Sequence, residues 1–305
     1  MDVFENRIVP GVINPIRRVT EFKHVHLNSA FRENYYATSS TDFIYVFPYD
    51  IKHVVSIRLE AIDIPNCWYL LSHKKGNNRF IIQTNNGATV TIEDIVVPDG
   101  TYDATTLVNY MNQTYFYQSG TTTDLQYIKV SINPVNLKTI FEIVGGPPSG
   151  FNFDLHFVEE ETTNMMETLG WVLGYRVARY NGVTDAIQSE GLFDAGGDRY
   201  IYFCLDDFNR NVSESQVVCF DGSTLNKDVL AKIYLTNGKF QLNIMSDEDG
   251  CCSSRSRNYY GPVNVKRVRI RLLDQYGEAI DLNYMDYGFT LLFEILYDGG
   301  NARRD

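Results

Sequence analysis

Cysteine is too scarce and too scattered in this chain to staple a fold. Cys67, Cys204, Cys219, Cys251 and Cys252 form no C-x-x-C pair. An odd, dispersed set is a poor disulfide framework and reads as reduced, intracellular thiol. The adjacent Cys251–Cys252 pair reads as two loop thiols, with a redox role as the alternative. There is no N-terminal apolar signal region. No apolar run approaches the ~20 residues that a membrane span needs. The sequence therefore predicts a chain with neither a cleaved signal nor a membrane-spanning helix. Basic charge is not in excess either. A formal net charge of −11 argues against a general nucleic-acid binder, which would carry a basic face.

Catalytic signatures are missing as well. The sequence has no H-E-x-x-H, no G-x-S-x-G and no P-loop. Its histidines, His24, His26, His53, His73 and His156, stand in no recognised ligand spacing. The glycine-rich loop 145–150 lacks the lysine and the following helix of a phosphate cradle. Asp206-Asp207 and Asp247-Glu248-Asp249-Gly250 read as solvated acidic loops rather than cation sites, since neither carries the pattern of a calcium loop. Asn112-Gln113-Thr114 and Asn211-Val212-Ser213 match the glycosylation sequon by chance in a chain without a signal. The expectation is a non-enzyme with no cofactor and no metal.

What is present is aromatic and alternating. Tyr 21 and Phe 18 are high counts, and they suit half-buried pleated surfaces better than helices. Residues 42–72 organise the rest. Phe43, Tyr45 and Phe47 alternate with Ile44 and Val46 up to a corner at Pro48. From Val54 onward Val55, Ile57, Leu59 and Ala61 alternate with Ser56, Arg58 and Glu60. A period of two marks a strand with one buried face. Pro65 ends the run, and Trp68-Tyr69 follows. At the far end Val268, Ile270 and Leu272 alternate with Arg267, Arg269 and Arg271, and residues 287–297 form a second apolar and aromatic run. Strong strands at both ends of a chain fit an all-β jelly-roll sandwich with its first and last strands adjacent. That ordering predicts pairing of the 54–64 strand with the 265–273 strand.

Between these ends, Asn85-Asn86-Gly87 predicts a hairpin between strands 80–84 and 89–97. Residues 101–115 are the best helix, with Leu107 and Met111 on one face and Asp103 at its positive end. Strands are expected at 125–131, 139–144, 151–158, 199–207, 217–220, 229–235 and 240–244. A second short helix over 163–169 should stop at Gly170, and residues 180–197 read as a surface insertion. The total is about a dozen strands, two short helices in connections, and hairpin insertions. Residues 1–28 read as an extended N-terminal arm, too apolar for a solvated tail. Residues 29–305 read as the jelly-roll domain, with insertions at about 176–262.

The features with most potential for contact are Trp68, Tyr69 and the stripe Arg267, Arg269, Arg271. Three arginines on one strand face repel unless acids oppose them, and Glu60 is the expected partner. The alternatives are a face that contacts an acidic neighbour and a salt-bridged solvent face.

Several segments resemble a known group in their order. They are Asp42-Phe43 through Phe47-Pro48 and Val54–Leu59; Ile64-Pro65-Asn66 with Trp68-Tyr69; Val97-Pro98-Asp99-Gly100-Thr101-Tyr102 before a helix ending in Met111-Asn112. Thr168-Leu169-Gly170-Trp171, Gly174-Tyr175-Arg176, Asp198–Tyr202 and Asp206-Asp207-Phe208 follow. Gly261-Pro262-Val263, Leu273-Asp274, Tyr276-Gly277 and Ile280-Asp281-Leu282 complete the series. Together they resemble jelly-roll minor capsid and penton-type proteins of nucleocytoplasmic large DNA viruses, giant icosahedral double-stranded DNA viruses of algae or amoebae. The likeness spans most of residues 29–297. It implies a structural virion protein, a minor capsid or vertex component located in the capsid and assembled in the host cytoplasm. The implied partners are the major capsid protein, other minor capsid proteins, and further copies of itself, as a pentamer if it sits at a vertex. The family offers no catalytic residues to carry over. The alternative is a jelly-roll attachment or carbohydrate-binding module on the virion surface, with exposed Trp68-Tyr69 or the 180–197 insertion as its ligand face.

Overall fold

The structure, a computed structural model of the chain, describes residues 20–158, 164–213, 216–220, 225–226, 228–246 and 252–296. It opens with β1 (Thr20–Asn28) and β2 (Asp42–Pro65). β1 was read from sequence as the end of an extended arm. It is extended, and it is a nine-residue strand paired along its whole length with the last strand of the chain. The segment between β1 and β2 is tied down by Arg32. Its guanidinium donates to the Ser29 carbonyl at 2.8 Å and to Asp286 at 2.7 Å, and lies over the Tyr35 ring.

The chain divides into two compact units. One comprises residues up to Cys67 together with those from Asp198 on; the other is Trp68–Gly197. The second unit contains β3 (Arg79–Asn85), β4 (Val90–Val96), α1 (Ala104–Thr114), β5 (Ile128–Ile132), β6 (Thr139–Ile143), β7 (Asn152–His156), α2 (Leu169–Val172), β8 (Arg179–Val183) and β9 (Ala186–Gln188). Its two antiparallel sheets run β4-β3-β7-β8 and β5-β6-β9. The expected Asn85–Gly87 turn joins β3 to β4, with the Asn85 side chain accepting from the Gly87 N–H.

The α1 helix starts where sequence placed it. Asp103 caps it by accepting from the Thr106 N–H, and the Thr106 hydroxyl answers at the Asp103 N–H. This capping box satisfies backbone donors that the first helical turn leaves open. Leu107 and Met111 are buried among Phe80, Phe116, Phe141 and Phe153. Asn112 is buried too, so the sequon there is closed within the fold. Its amide donates to the Val130 carbonyl at 2.7 Å and accepts from the Val130 N–H at 2.9 Å.

Two expectations for this unit need correction. Residues 180–197 are not simply a surface insertion, because β8 and β9 supply the last strand of each sheet. Gly170 does not stop a helix. A 3₁₀ turn at Met165–Glu167 precedes α2, and Gly170 lies inside α2, where any Cβ would fall within the Phe157 ring. Close packing, not chain termination, is why glycine stands there.

The chain returns to the first unit with β10 (Tyr200–Asp206), β11 (Val218–Cys219), β12 (Leu225–Asn226), β13 (Val229–Tyr234), β14 (Leu242–Ser246), β15 (Cys252–Ser254), β16 (Arg257–Leu273) and β17 (Gly288–Leu296). The main antiparallel sheet runs β1-β17-β2-β16-β10-β13-β15, with β14 on β2.

β2 is one bent strand rather than two strands meeting at Pro48. Its first part, from Asp42 to Ile51, pairs with Arg271 back to Val265 of β16. Its second part, from Val54 to Asp63, pairs with Ile295 back to Gly288 of β17. The expected pairing of 54–64 with 265–273 is therefore corrected. Both segments belong to the same sheet, but 265–271 lies along 42–51. The bend sits at His53, whose φ is 58°, opposite three register shifts in β16. Bulges bend strands in this way and increase their twist.

The bend folds the sheet over its own apolar face. Phe293 pairs with Ile57, yet its ring centroid is 6.0 Å from that of Phe47. A straight strand would hold positions 47 and 57 ~33 Å apart. Phe203 on β10 and Phe289 on β17 are 5.2 Å apart. A flat sheet would separate those lanes by ~14 Å. Phe43, Val54, Ile57, Leu59, Ile201, Val268, Ile270 and Leu291 fill the enclosed core. The all-β jelly-roll class expected from sequence is the observed one, with two short helices in connections.

Candidate interaction face

The arginine stripe lies on the face of the main sheet that points away from this core. Val268, Ile270 and Leu272 are buried, while Arg267 and Arg269 between them are exposed and Arg271 is half-buried. The register sets Arg267 opposite Val46, Arg269 opposite Ile44 and Arg271 opposite Asp42. On the other flank Asp206 of β10 faces Arg269 and Cys204 faces Arg271.

Each arginine is held in place. Arg269 makes a two-pronged contact with Asp42, Nε to Oδ1 at 2.8 Å and Nη2 to Oδ2 at 2.7 Å. This fork matches the planar guanidinium to the carboxylate. The Asp42 hydrogen bond holds the Arg269 pKa above its usual value. Arg271 donates to Asp228 at 3.2 Å. Burial pushes the Asp228 carboxyl up, and the nearby Asp206 charge adds to that against the pull of Arg257 and Arg271. The Arg267 guanidinium lies 4.3 Å from the centre of the Phe208 ring. Phe208 is turned into this position with φ 62° and donates its N–H to the Asp206 carboxylate at 2.8 Å. Asp42 and Asp228, not the expected Glu60, oppose the stripe. Glu60 instead accepts from the His24 ring at 2.7 Å.

The arginines are flanked by exposed aliphatic residues on the β2 side. Ile44 is 41 % exposed and Val46 39 % exposed. On the far side Tyr202, Cys204, Val229 and Leu273 form a small buried cluster under Phe220. The result is a rigid face of fixed cations beside exposed aliphatics, suited to docking a protein surface. Exposed ion pairs add at most ~1 kcal/mol to stability, so their consequence here is orientation.

Next to this face is a buried ionic knot that sequence reading missed. Asp207 is not a solvated acid. Its side chain is 1 % exposed and receives Arg257 at 3.3 Å, the Tyr259 hydroxyl at 2.5 Å and the Asn209 amide at 2.8 Å. Burial, reinforced by the Asp207 charge, pushes the Tyr259 phenol far above its ordinary value. The signal available in sequence was the alternation of Arg257 with Asn258 and Tyr259, which puts two donors on one strand face. Three protein donors converge on the Asp207 carboxylate, which is closed off from solvent. Among the described residues, no cluster of three or more His, Cys, Asp or Glu side chains is placed to hold a metal ion.

The remaining sequence candidates fall elsewhere. Trp68 is 1 % exposed, so it presents no face to a partner; its large apolar area is spent inside the fold. Tyr69 is half-buried. His24 and His26 share the exposed face of β1, and the His26 ring pairs with the Thr290 hydroxyl at 2.9 Å. The Asp247–Gly250 stretch and Cys251 lie outside the described residues, and of Cys252 only the backbone is described.

No family model matches the chain, and no curated protein sequence does. Among solved structures it is similar to the mavirus penton protein, at 12 % identity and a TM-score of 0.47, over 90 % of this chain and 99 % of that one.

Proposed function

We propose that the chain is a structural shell protein. It is a minor capsid or vertex component that docks on the major capsid protein of a large icosahedral double-stranded DNA virus and has no catalytic role. The observation that carries this reading is the outward face of β2 and β16, where Ile44 and Val46 stand beside Arg267 and Arg269 on a bent sheet. A shell component needs such a rigid, pre-oriented surface, because its contacts are individually weak and hold through repetition. The ordered sequence segments that resemble capsid proteins support the same reading. They extend it to the virion as location, host cytoplasm as assembly site, and other minor capsid proteins or further copies as neighbours.

The attachment-module alternative offered either Trp68-Tyr69 or residues 180–197 as its ligand face; Trp68 is buried, which weakens the first of these. The shell reading is tested by replacing Ile44 and Val46 with Asp and measuring co-sedimentation with the major capsid protein. Loss of binding with unchanged circular dichroism supports the face as the docking surface. Full binding by the folded variant contradicts it.

A further inference from the structure

Three of the edge strands in the Trp68–Gly197 unit are covered or blunted. The Asn112 side chain occupies the edge of β5, bonding both the N–H and the carbonyl of Val130. β8 is bent by a register shift and contains Gly182 at φ 64°. β9 is three residues long. Bulges, short strands, lysine and proline are the usual protections of a sheet edge. The remaining edge strand, β4, has none of them. It runs seven residues without a register shift, a lysine or a proline.

The main chain of β4 is aimed outward at alternate residues. The Thr89 carbonyl accepts from the Asn86 N–H, and the Val97 N–H donates to the Asn78 carbonyl. Odd-numbered positions therefore bond toward β3, and the antiparallel register carries this through Thr91, Glu93 and Ile95. The N–H and carbonyl groups of Val90, Ile92 and Asp94 face the open lane. Val96 faces it too, but there the Tyr115 hydroxyl donates to the carbonyl at 2.8 Å and accepts from the N–H at 3.3 Å. Among the described residues, no strand or main-chain group pairs with the other three. Val90 is 57 % and Ile92 63 % exposed, and Asp94 is balanced by Arg79 at 3.7 Å.

This segment is its own complement. A two-fold axis at Ile92 sets Val90 against Asp94 of the partner subunit and Ile92 against Ile92 of the partner subunit. That register makes roughly six main-chain hydrogen bonds. It also brings the exposed Val90 and Ile92 of both copies together on one face. On the opposite face Glu93 meets Thr91 of the partner subunit. One Glu93 carboxylate oxygen is shut off from water and has no hydrogen-bond partner among the described residues. A threonine hydroxyl in cross-strand range supplies a donor for that carboxylate. Moving the axis to Glu93 would oppose two glutamates and would need the Val96 groups that Tyr115 holds. Moving it to Thr91 would need Ala88, whose N–H is already given to the Asn86 side chain at 3.0 Å.

We infer that two copies of this chain pair antiparallel through β4, centred on Ile92, so that each four-stranded sheet continues into the other. The contact uses the same patch on both copies and closes both edges. It does not involve the arginine face and stands whether or not the shell reading does.

Light scattering and residue-resolved hydrogen exchange on the full-length protein test it. The variants are Ile92→Asp, which opposes two carboxylates at the axis, and Val135→Asp, in an exposed turn of the same unit, as control. The assembled mass should halve in Ile92→Asp and stay unchanged in Val135→Asp. Amides 90, 92 and 94 should exchange about tenfold or more faster in Ile92→Asp, while amides 91, 93 and 95 stay protected in both variants. If Ile92→Asp fails to fold, the wild-type protein decides. Slow exchange at 90, 92 and 94 with a mass above one chain supports the pairing, and the mass of a single chain contradicts it. A mass unchanged by Ile92→Asp, or lowered equally by both variants, overturns the inference. So do amides 90, 92 and 94 that exchange freely in the wild type, or that stay protected in Ile92→Asp, which would assign the lane to a different occupant.

Discussion

Phe47 and Phe293 meet edge to face, 85° between ring planes, from positions that the strand ladder places on opposite sides of the His53 bend. The contact exists only because β2 folds back, so it reports on closure of the sheet rather than on local pairing. Phe293→Ala should cost ~3–5 kcal/mol, the usual range for a buried phenylalanine. Phe22, 63 % exposed on β1, should tolerate the same change with little loss. Urea unfolding of the two variants measures the difference. Equal stabilities would mean the sheet does not close over Phe293.

Asn112→Ala should be among the most damaging polar substitutions. It strips partners from both the N–H and the carbonyl of Val130 within a buried site. An unsatisfied buried group costs ~1–3 kcal/mol. Thermal unfolding should show a clear fall in Tm, and a wild-type Tm would contradict the buried geometry. Asn112→Asp should be no rescue, since a carboxylate cannot donate to the Val130 carbonyl.

Substituting Arg267, Arg269 and Arg271 together by Gln should weaken association far more than stability. The Arg269–Asp42 pair is substantially exposed, with side chains 43 % and 36 % accessible, and such pairs contribute under ~1 kcal/mol. The expected outcome is a small change in Tm with reduced binding to shell partners. A large fall in Tm with normal association would make the stripe a stability element.

Thiol reactivity should follow burial. Burial pushes the Cys204 thiol up to about 12 and the Cys67 thiol up to about 11, so at pH 8 neither supplies much thiolate. Cys219 is exposed. Peptide mapping after brief alkylation of native protein should find Cys219 modified well before Cys67 or Cys204. Equal labelling of Cys204 would contradict its position beneath Phe220.

Much of the fold was legible because period-two alternation survives in the sequence. β2, β7 and β16 were found that way, and α1 by the spacing of Leu107 and Met111 with Asp103 at its positive end. The bend in β2 was not legible. Pro48 looked like a corner, but it lies within β2, between Val46 and Ile51, where the register with β16 shifts and no β16 residue pairs with the strand, so proline is tolerated there. β8 and β9 were missed because their short sequences include Gly182 at φ 64° and read as loop. For the site, the arginine stripe was plain, but its acids were not. Asp42 and Asp228 meet it only through a register that depends on the bend, so Glu60 looked nearer than it is. Trp68 misled for a different reason: a bulky pair just past a strand end has no periodicity from which burial can be read.

The most direct test of the shell reading is light scattering on the purified protein, alone and mixed with the major capsid protein. The account predicts a defined assembly, either a discrete pentamer on its own or a complex with the major capsid protein. A monomer that remains a monomer in the mixture would contradict it.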